Sequence, residues 1–520
     1  MPYAGEDGVA ALLERLAARG GWDRVHEGAA LIALARGRAT VTLEPGNQLE
    51  LSGTPSRTMS EVAAEAADFA VEVDEALQGS AYQQSAIGYT PWAEVDAIDW
   101  VPKGRYAVMR EHLAQTGPLA HAMMKGTCAV QANYDFSDEA DCAAKVQLAT
   151  RLAPLTTAMF AHSPFVHGAP AGFMSYRGHV WTKTDPLRTG MPEAGEQFTF
   201  ERWVDWLLDM PMMFNKGSDG QWRAAGGRTF RSWMSDREPP TWRDWELHLT
   251  SVFPEVRVKR TIEVRGADSV PMPLAMAFAA LWRALFYSPR IADVAADLAA
   301  RFVRHGERDE RFNEATRNGL RGVVGGRMLA AWAEDLLDGV EAGLDAEERR
   351  WIQPLSRQVE TGESPARALL RAYRHRPGPA AVLASSGLDV DASRVPLLEA
   401  PASGPMRQGL KGARAIDRLT VLAESVLPQL TGERWLPASR ALRDLLSQLG
   451  PSLDIGLSGG LPMDNWMRVR NGLMPVDQML DAIAAGDAGD EATPLRLQAA
   501  CEAASATLVG ATTPVVANRR

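Results

Sequence analysis

Cysteine is the scarcest reactive residue in this 520-residue chain, occurring three times, at Cys128, Cys142 and Cys501. Thiols so few and so scattered build neither a disulfide framework nor a cysteine-rich zinc module, and a reducing, cytoplasmic setting fits them best. A surplus of positive charge is lacking too. The formal net charge of -10 argues against a nucleic-acid partner bound through phosphate neutralisation, and no dense basic block offsets it. Long apolar runs are missing. The N-terminus reaches Glu6 and Asp7 without an apolar stretch, and the most apolar helical segment, Pro273 to Phe286, is interrupted by Arg283. No export signal and no membrane span are expected. Walker-type phosphate loops and dinucleotide glycine motifs are also absent.

What is present is 46% hydrophobic residues, enough for two or three domains with a large core. Three segments alternate apolar and polar residues at strand period. One runs Thr40-Val41-Thr42-Leu43-Glu44 and continues past Pro45-Gly46 into Gln48-Leu49-Glu50. The second is Val130 to Phe136, with Gln131 and Asn133 two apart. The third is Val256 to Arg265, read as one strand with Glu263 and Arg265 on one side. Successive strand side chains point to opposite faces, so Glu44, Gln48, Glu50, Gln131, Asn133, Glu263 and Arg265 can share one sheet face. Carboxylates, amides and guanidinium on one face suit a cation and a phosphate. An ordinary solvated hairpin or a salt-bridged strand has the same spacing.

Helical spacing is expected over Gly8 to Arg19, Ser60 to Leu77, Gly104 to Thr116, Ser137 to Ala161 and Phe200 to Leu208, with strands near Ala30 to Leu34 and Ala39 to Leu43. From Pro273 to about Tyr373 the pattern is almost wholly helical, broken near Gly319, Gly322 and Gly325. His375-Arg376-Pro377-Gly378-Pro379 marks a boundary. Beyond it Phe and Tyr vanish and only Trp435 and Trp466 are aromatic. A linker over 381–405 and a helical unit over 406–520 are expected there, with helices near 415–427, 438–449, 476–485 and 493–504. Gly456-Leu457-Ser458-Gly459-Gly460 has the spacing of a hydrolase nucleophile elbow. Leu461-Pro462 follows where a helix should start, and the last histidine is His375, so a Ser-then-His order is impossible. His162 and His167, separated by Ser163-Pro164, read as loop histidines rather than a zinc pair.

Trp100-Val101-Pro102-Lys103-Gly104-Arg105-Tyr106 and Ser175-Tyr176-Arg177-Gly178-His179-Val180-Trp181-Thr182-Lys183-Thr184-Asp185-Pro186-Leu187-Arg188-Thr189-Gly190 resemble segments of the plant-type glutamate-cysteine ligases also found in proteobacteria. Thr42 to Gly53, Gln131 to Phe136 and Ile262 to Asp268 extend the resemblance, which covers the chain to about Tyr373. It implies an α+β, glutamine-synthetase-like fold: a curved antiparallel sheet forming a half-open funnel backed by helices, with the C-terminal helical unit added. It also implies ATP and Mg²⁺, with glutamate activated as an acyl phosphate and cysteine as the amine.

By the same resemblance Glu44, Glu50 and Glu263 are the metal ligands. Arg265 and Arg177 are the catalytic cations. Lys103, Arg105, Gln131, Asn133, Arg177, Trp181 and Arg188 contact substrate or ATP. For Lys103 and Arg105 a helix-start role stands beside this one; for Arg177 and Arg188 the alternative is a loop stabilised by pairing of an arginine with Asp185. Family members usually begin with a strand bearing a Gly-x-Glu-x-Glu-like pair ahead of the helix matched by Gly8 to Arg19. This sequence starts at Met1-Pro2-Tyr3, so either the start is assigned too late or a metal ligand, and with it an edge or central strand, is lost. A different amine acceptor, or a catalytically silent homologue acting as a scaffold, stays open. The unit beyond residue 380 offers a surface for self-association or a protein partner.

Overall fold

Between Ala39 and Leu43 buried and half-buried residues alternate, with Val41 and Leu43 fully buried. That alternation is what packs one face of a strand and frees the other. In the computed structural model this segment, β3, lies in a four-stranded antiparallel sheet with β1 (Asp23–Glu27), β2 (Ala30–Arg36) and β4 (Leu49–Ser52), in the order β1-β2-β3-β4. Helix α1 (Val9–Ala18) turns Leu12, Leu13 and Leu16 into the core that this sheet shares. Each such leucine contributes about 1.5–3 kcal/mol on burial. Helix α2 (Met59–Leu77) begins in a capping box between Thr58 and Glu61. The strand β1 is the one the pattern misses, because Asp23-Arg24-Val25-His26 are all exposed and carry no alternation.

The structure describes residues 1–379, apart from 191, 193–196 and 305, together with 382 and 386. The linker 381–405, the helical unit 406–520 and the Gly456–Gly460 segment lie, but for residues 382 and 386, outside the described residues.

A second, three-stranded antiparallel sheet is ordered β6-β7-β5, with β5 spanning Ala129–Tyr134, β6 Val256–Val258 and β7 Ile262–Asp268. Two expectations change here. The polar strands belong to two sheets rather than one: β3 and β4 pair with each other, and β5 pairs with β7. The segment from Val256 to Arg265 is a hairpin, not a strand. It turns at Lys259-Arg260-Thr261, where Lys259 N–H donates to the Thr261 carbonyl at 3.0 Å. The turn contains no Gly, Pro, Asn or Asp, so period-2 alternation runs through it unmarked. The architecture is therefore α+β with small antiparallel sheets and many helices.

Helix α3 spans Gly104–Leu113, α4 Ala120–Gly126 and α5 Glu139–Met159. Helix α5 starts on Asp138, whose side chain accepts from Asp141 N–H, and its residues from Val146 onward are almost all buried. The short α6 (Tyr176–Trp181) follows, then helices Met272–Tyr287, Pro289–Phe302 and Arg308–Asn318, and at the end of the described chain Pro365–His375. The glycine breaks after Asn318 hold a surprise: Val323–Val324 and Arg327–Met328 pair as a hairpin, turned by Gly325 and Gly326 at φ 57° and 77°. The described residues fall into two compact units, one of 1–319, 335–356 and 364–379, the other of 320–334 and 357–363. Everything below concerns the first. No helix among the described residues is long and apolar enough to cross a membrane.

Candidate active site

The β3–β4 hairpin puts two carboxylates at one end of its sheet. Glu44 N–H donates to the Gln48 carbonyl and Asn47 N–H to the Glu44 carbonyl, both at 2.9 Å, which closes the turn at Pro45-Gly46. A Cβ on Gly46 would meet the Lys125 carbonyl oxygen at 2.3 Å, so only glycine lets the tip lie against α4. Gln48 serves this tip. Its Oε1 accepts from Gly46 N–H at 2.9 Å and its Nε2 donates to the Thr127 carbonyl at 3.1 Å. Glu50 sits opposite Thr42, and Ser52 Oγ is its hydrogen-bond donor at 3.4 Å.

Glu263, on β7, faces Arg257 across one ladder and Asn133 across the other. It is buried and ion-paired: Arg257 Nε lies 2.6 Å from one oxygen, Arg265 3.3 Å from the other, and Lys259 Nζ 3.8 Å away. Burial alone would raise its pKa. The cations, Arg265 and Arg257 first, outweigh burial and hold it at about 2. Arg265 also donates to Gln131 Oε1 at 3.3 Å, while the Asn133 Oδ1 accepts from Thr261 Oγ1 at 3.1 Å. Gln131 and Asn133 are exposed. Arg257 and Lys259 belong to this cluster and were not singled out from the sequence. Their signal was the same alternation that selected Glu263, read across the unrecognised turn.

Helix α6 is started by Ser175, whose Oγ accepts from Gly178 N–H at 3.0 Å, and it places Arg177 and Trp181 one turn apart. Trp181 lies 5.6 Å from the Arg265 guanidinium, and its buried indole N–H has no acceptor among the described residues. Arg177 is 2% exposed. It donates to the Arg265 carbonyl at 2.6 Å and stands 3.7 Å from Asp268. Asp268 in turn accepts from His162 N–H, Ser163 Oγ and Ser175 Oγ at 2.6–2.8 Å. Arg177 thus ties α6 to the strand that carries Arg265. Arg188 makes the Asp185 pair, at 2.8 Å, and donates to the Pro211 carbonyl.

At the start of α3, Lys103 Nζ and Tyr106 OH both donate to the Leu43 carbonyl, at 2.7 and 3.0 Å. Lys103 is therefore fixed beside Glu44. Burial lowers its pKa, while Glu44 opposes that shift and Arg105 adds to it. Arg105 lies over the rings of Tyr106 and Phe214 at 5.6 and 5.7 Å, and its Nε is buried with no acceptor among the described residues.

Although Glu44, Glu50 and Glu263 come from two sheets, their charges meet. Burial, Glu44 and Glu263 raise the Glu50 pKa to about 7 against the opposing pull of Arg265. The Cys128 thiol is half-buried nearby and held up at about 12, by desolvation first and then by Glu44. Mg²⁺ commonly takes one or two carboxylates, with phosphate and water oxygens filling its octahedron. Glu50, raised in pKa beside Glu44, has the donor chemistry for this, whereas Glu263 is already engaged by guanidinium. Among the described residues no three His, Cys, Asp or Glu are grouped to hold a metal by themselves. His162 and His167 both sit outside helices. The His162 ring faces the Ser269 carbonyl at 3.0 Å, and His167 pairs with Glu94 at 2.8 Å.

The sequence matches the model of the glutamate-cysteine ligase family 2 over residues 1–386. It is 38% identical over 378 residues to the chloroplastic glutamate–cysteine ligase of Brassica juncea, covering 71% of this chain and 73% of that one. The Arabidopsis thaliana chloroplastic enzyme is 38% identical over 71% and 72% of the two chains, and the chloroplastic ligase B of Oryza sativa subsp. japonica 36% over 71% and 76%. Identity at this level over this length establishes descent, and the chain belongs to the glutamate-cysteine ligase family 2.

Proposed function

We propose that the protein joins the γ-carboxylate of glutamate to the amine of cysteine at the expense of ATP, giving γ-glutamylcysteine for thiol biosynthesis. Family membership supports the reaction. The observation that supports its location is that the Glu50 carboxylate on one sheet feels Glu44 together with Arg265 and Glu263 on the other.

Bound Mg²⁺ would supply charge neutralisation and alignment for phosphoryl transfer. Glu44 and Glu50 would hold it, with Glu263 as the further carboxylate of the set, beside Arg257 and Arg265. Arg265, fixed by Gln131 and Glu263, offers its guanidinium to the transferring phosphoryl group. Arg177 sets the position of Arg265 through its carbonyl. Lys103 and Arg105 extend the positive wall toward nucleotide phosphates. Trp181 walls the substrate pocket beside Arg265, Asn133 stands at its open rim, and Arg188 holds the Asp185 loop beneath it. The two sheets act as the halves of a glutamine-synthetase-like funnel within a catalytic region of 1–380. Scarce, widely spaced cysteines suit a reducing compartment such as the cytoplasm, while the relatives named above are chloroplastic.

The test is phosphate release from ATP by the purified protein given glutamate, Mg²⁺ and a panel of amines. Release that requires cysteine and yields γ-glutamylcysteine is expected. Turnover on another amine with indifference to cysteine would remove this acceptor, and no release with any amine would remove the ligase reading.

A further inference from the structure

Outside that site, one cavity of about 240 Å³ is walled by chemistry the ligation does not use. It lies between the loop before α6 and two helices, Arg308–Asn318 and Pro365–His375. Its apolar side is Pro164, Pro170, Met174 and Leu370, and its polar side holds Arg317, Arg367 and Arg374. None of these residues belongs to the carboxylate–guanidinium cluster.

The charges of Arg317 and Arg374 are not neutralised in the usual way. Arg317 lies over the Phe173 ring, 4.7 Å from its centroid. A ring holds a guanidinium in place without cancelling its charge. Phe173 is itself stacked on His179, at 4.2 Å and 21°, so the platform is fixed before any ligand arrives. Among the described residues neither Arg317 nor Arg374 forms an ion pair. Burial, Lys183 and Arg317 together lower the His179 pKa, as a positive local field should. Asn318 on the lining donates its Nδ2 to Glu314 at 2.9 Å. Tyr373 is anchored by its hydroxyl to the Gly168 carbonyl at 3.2 Å. Two guanidinium groups beside an apolar wall, in a volume too small for a nucleotide, describe a receptor for a compact anion with a hydrophobic body.

We propose that this cavity is a second ligand site, taking a small organic phosphate or carboxylate whose apolar part rests on Pro164, Pro170 and Leu370 and whose anion meets Arg317 and Arg374. The site is joined to the catalytic strand. Met174 and Ser175 N–H groups donate to the Thr316 carbonyl, at 2.9 Å each, and Ser175 Oγ donates to Asp268 at 2.8 Å on β7. Occupancy therefore bears on the segment that begins α6.

The test titrates the full-length protein with phenyl phosphate, and in parallel with inorganic phosphate, by calorimetry and ligand-observed NMR at millimolar concentration. Phenyl phosphate is expected to bind more tightly than inorganic phosphate. Arg317→Ala and Arg374→Ala should each weaken it on the order of tenfold, the loss of one charge-assisted contact. Arg290→Ala, which removes the same charge from an exposed position elsewhere, should leave it unchanged. Arg317 and Arg374 are both exposed, so these variants are expected to fold, and matching melting temperatures would confirm it. Equal binding of the two probes, no binding, equal weakening by Arg290→Ala, or loss on Arg105→Ala with retention on Arg317→Ala would each overturn the proposal. The last outcome would assign the phosphate to the ligase site. Because the readout is binding and not turnover, its failure is separate from any failure of the ligase reading.

Discussion

Replacing Glu50 by glutamine tests the carboxylate pair directly. Burial and the neighbouring Glu44 hold the Glu50 carboxyl at about 7, so near neutrality it carries a proton about half the time. A metal ligand must be ionised, and cation binding must displace that proton. One pH unit below this pKa the protonated form dominates about ten to one, so the apparent Mg²⁺ affinity should be roughly tenfold weaker than at its alkaline plateau. At the pKa itself about half a proton should leave per Mg²⁺ bound. Calorimetric titration in buffers of different ionisation enthalpy counts that proton, and repeating it in Glu50→Gln should find weaker binding with no proton release and little pH dependence. Stability supplies a second reading. A carboxyl whose folded pKa is raised favours the fold most at pH below its unfolded value near 4.5, and this advantage is lost as pH rises through about 7. The full shift corresponds to about 3 kcal/mol, and partial solvent exposure reduces it to about 1–2 kcal/mol. Glu50→Gln should therefore be more stable than the parent by that amount at alkaline pH and no more stable at pH 4. Equal proton release in parent and variant would refute the reasoning.

Glu263→Gln should unfold about 3–5 kcal/mol more easily, because Arg257 and Arg265 would be left buried without their counter-charge. Denaturant titration measures this, and adding Arg257→Met should restore part of the loss. The same pair predicts acid behaviour. With its folded pKa depressed from 4.5 to about 2, Glu263 contributes stability above the ordinary carboxylate range and loses it progressively as pH falls from about 4.5 through about 2. The gap between parent and Glu263→Gln should therefore hold steady down to about pH 5 and narrow below that. Gly46→Ala should cost about 1–3 kcal/mol and lower Mg²⁺ affinity, since the new methyl group meets the Lys125 carbonyl and pushes Glu44 and Glu50 apart. A melting temperature equal to the parent's would contradict that contact. Asp268→Asn should loosen α6 against β7, because the amide can accept from fewer of the three donors now on the carboxylate. A loss of about 2–3 kcal/mol is expected by thermal unfolding.

The hairpin that carries Glu44 and Glu50 was legible because Pro45 and Gly46 announce a turn inside an alternating pattern, and both acids lie where that pattern puts them. The Lys259-Arg260-Thr261 turn was not legible. Its residues have no intrinsic turn preference, and pairing with β5 decides the bend instead. Nor does period reveal which polar side chain the fold itself consumes. Gln48 and Glu50 are two residues apart on one segment, yet Gln48 is bound to Met124 and Thr127 across the chain while Glu50 meets only Ser52 among the described donors. Arg188 looks as available as Arg265 until Asp185, His112 and Pro211 close around it. Asp185 is near enough in sequence to be considered, but Met124, Thr127, His112 and Pro211 are remote, so only the folded chain separates a structural cation from an available one. The separation also bears on the metal. Glu263 has two guanidinium partners, whereas Glu50 sits beside another carboxylate at a cost visible in its raised pKa. Glu50, beside a second carboxylate and only partly offset by Arg265, is the acid of the three with charge left to meet an incoming cation.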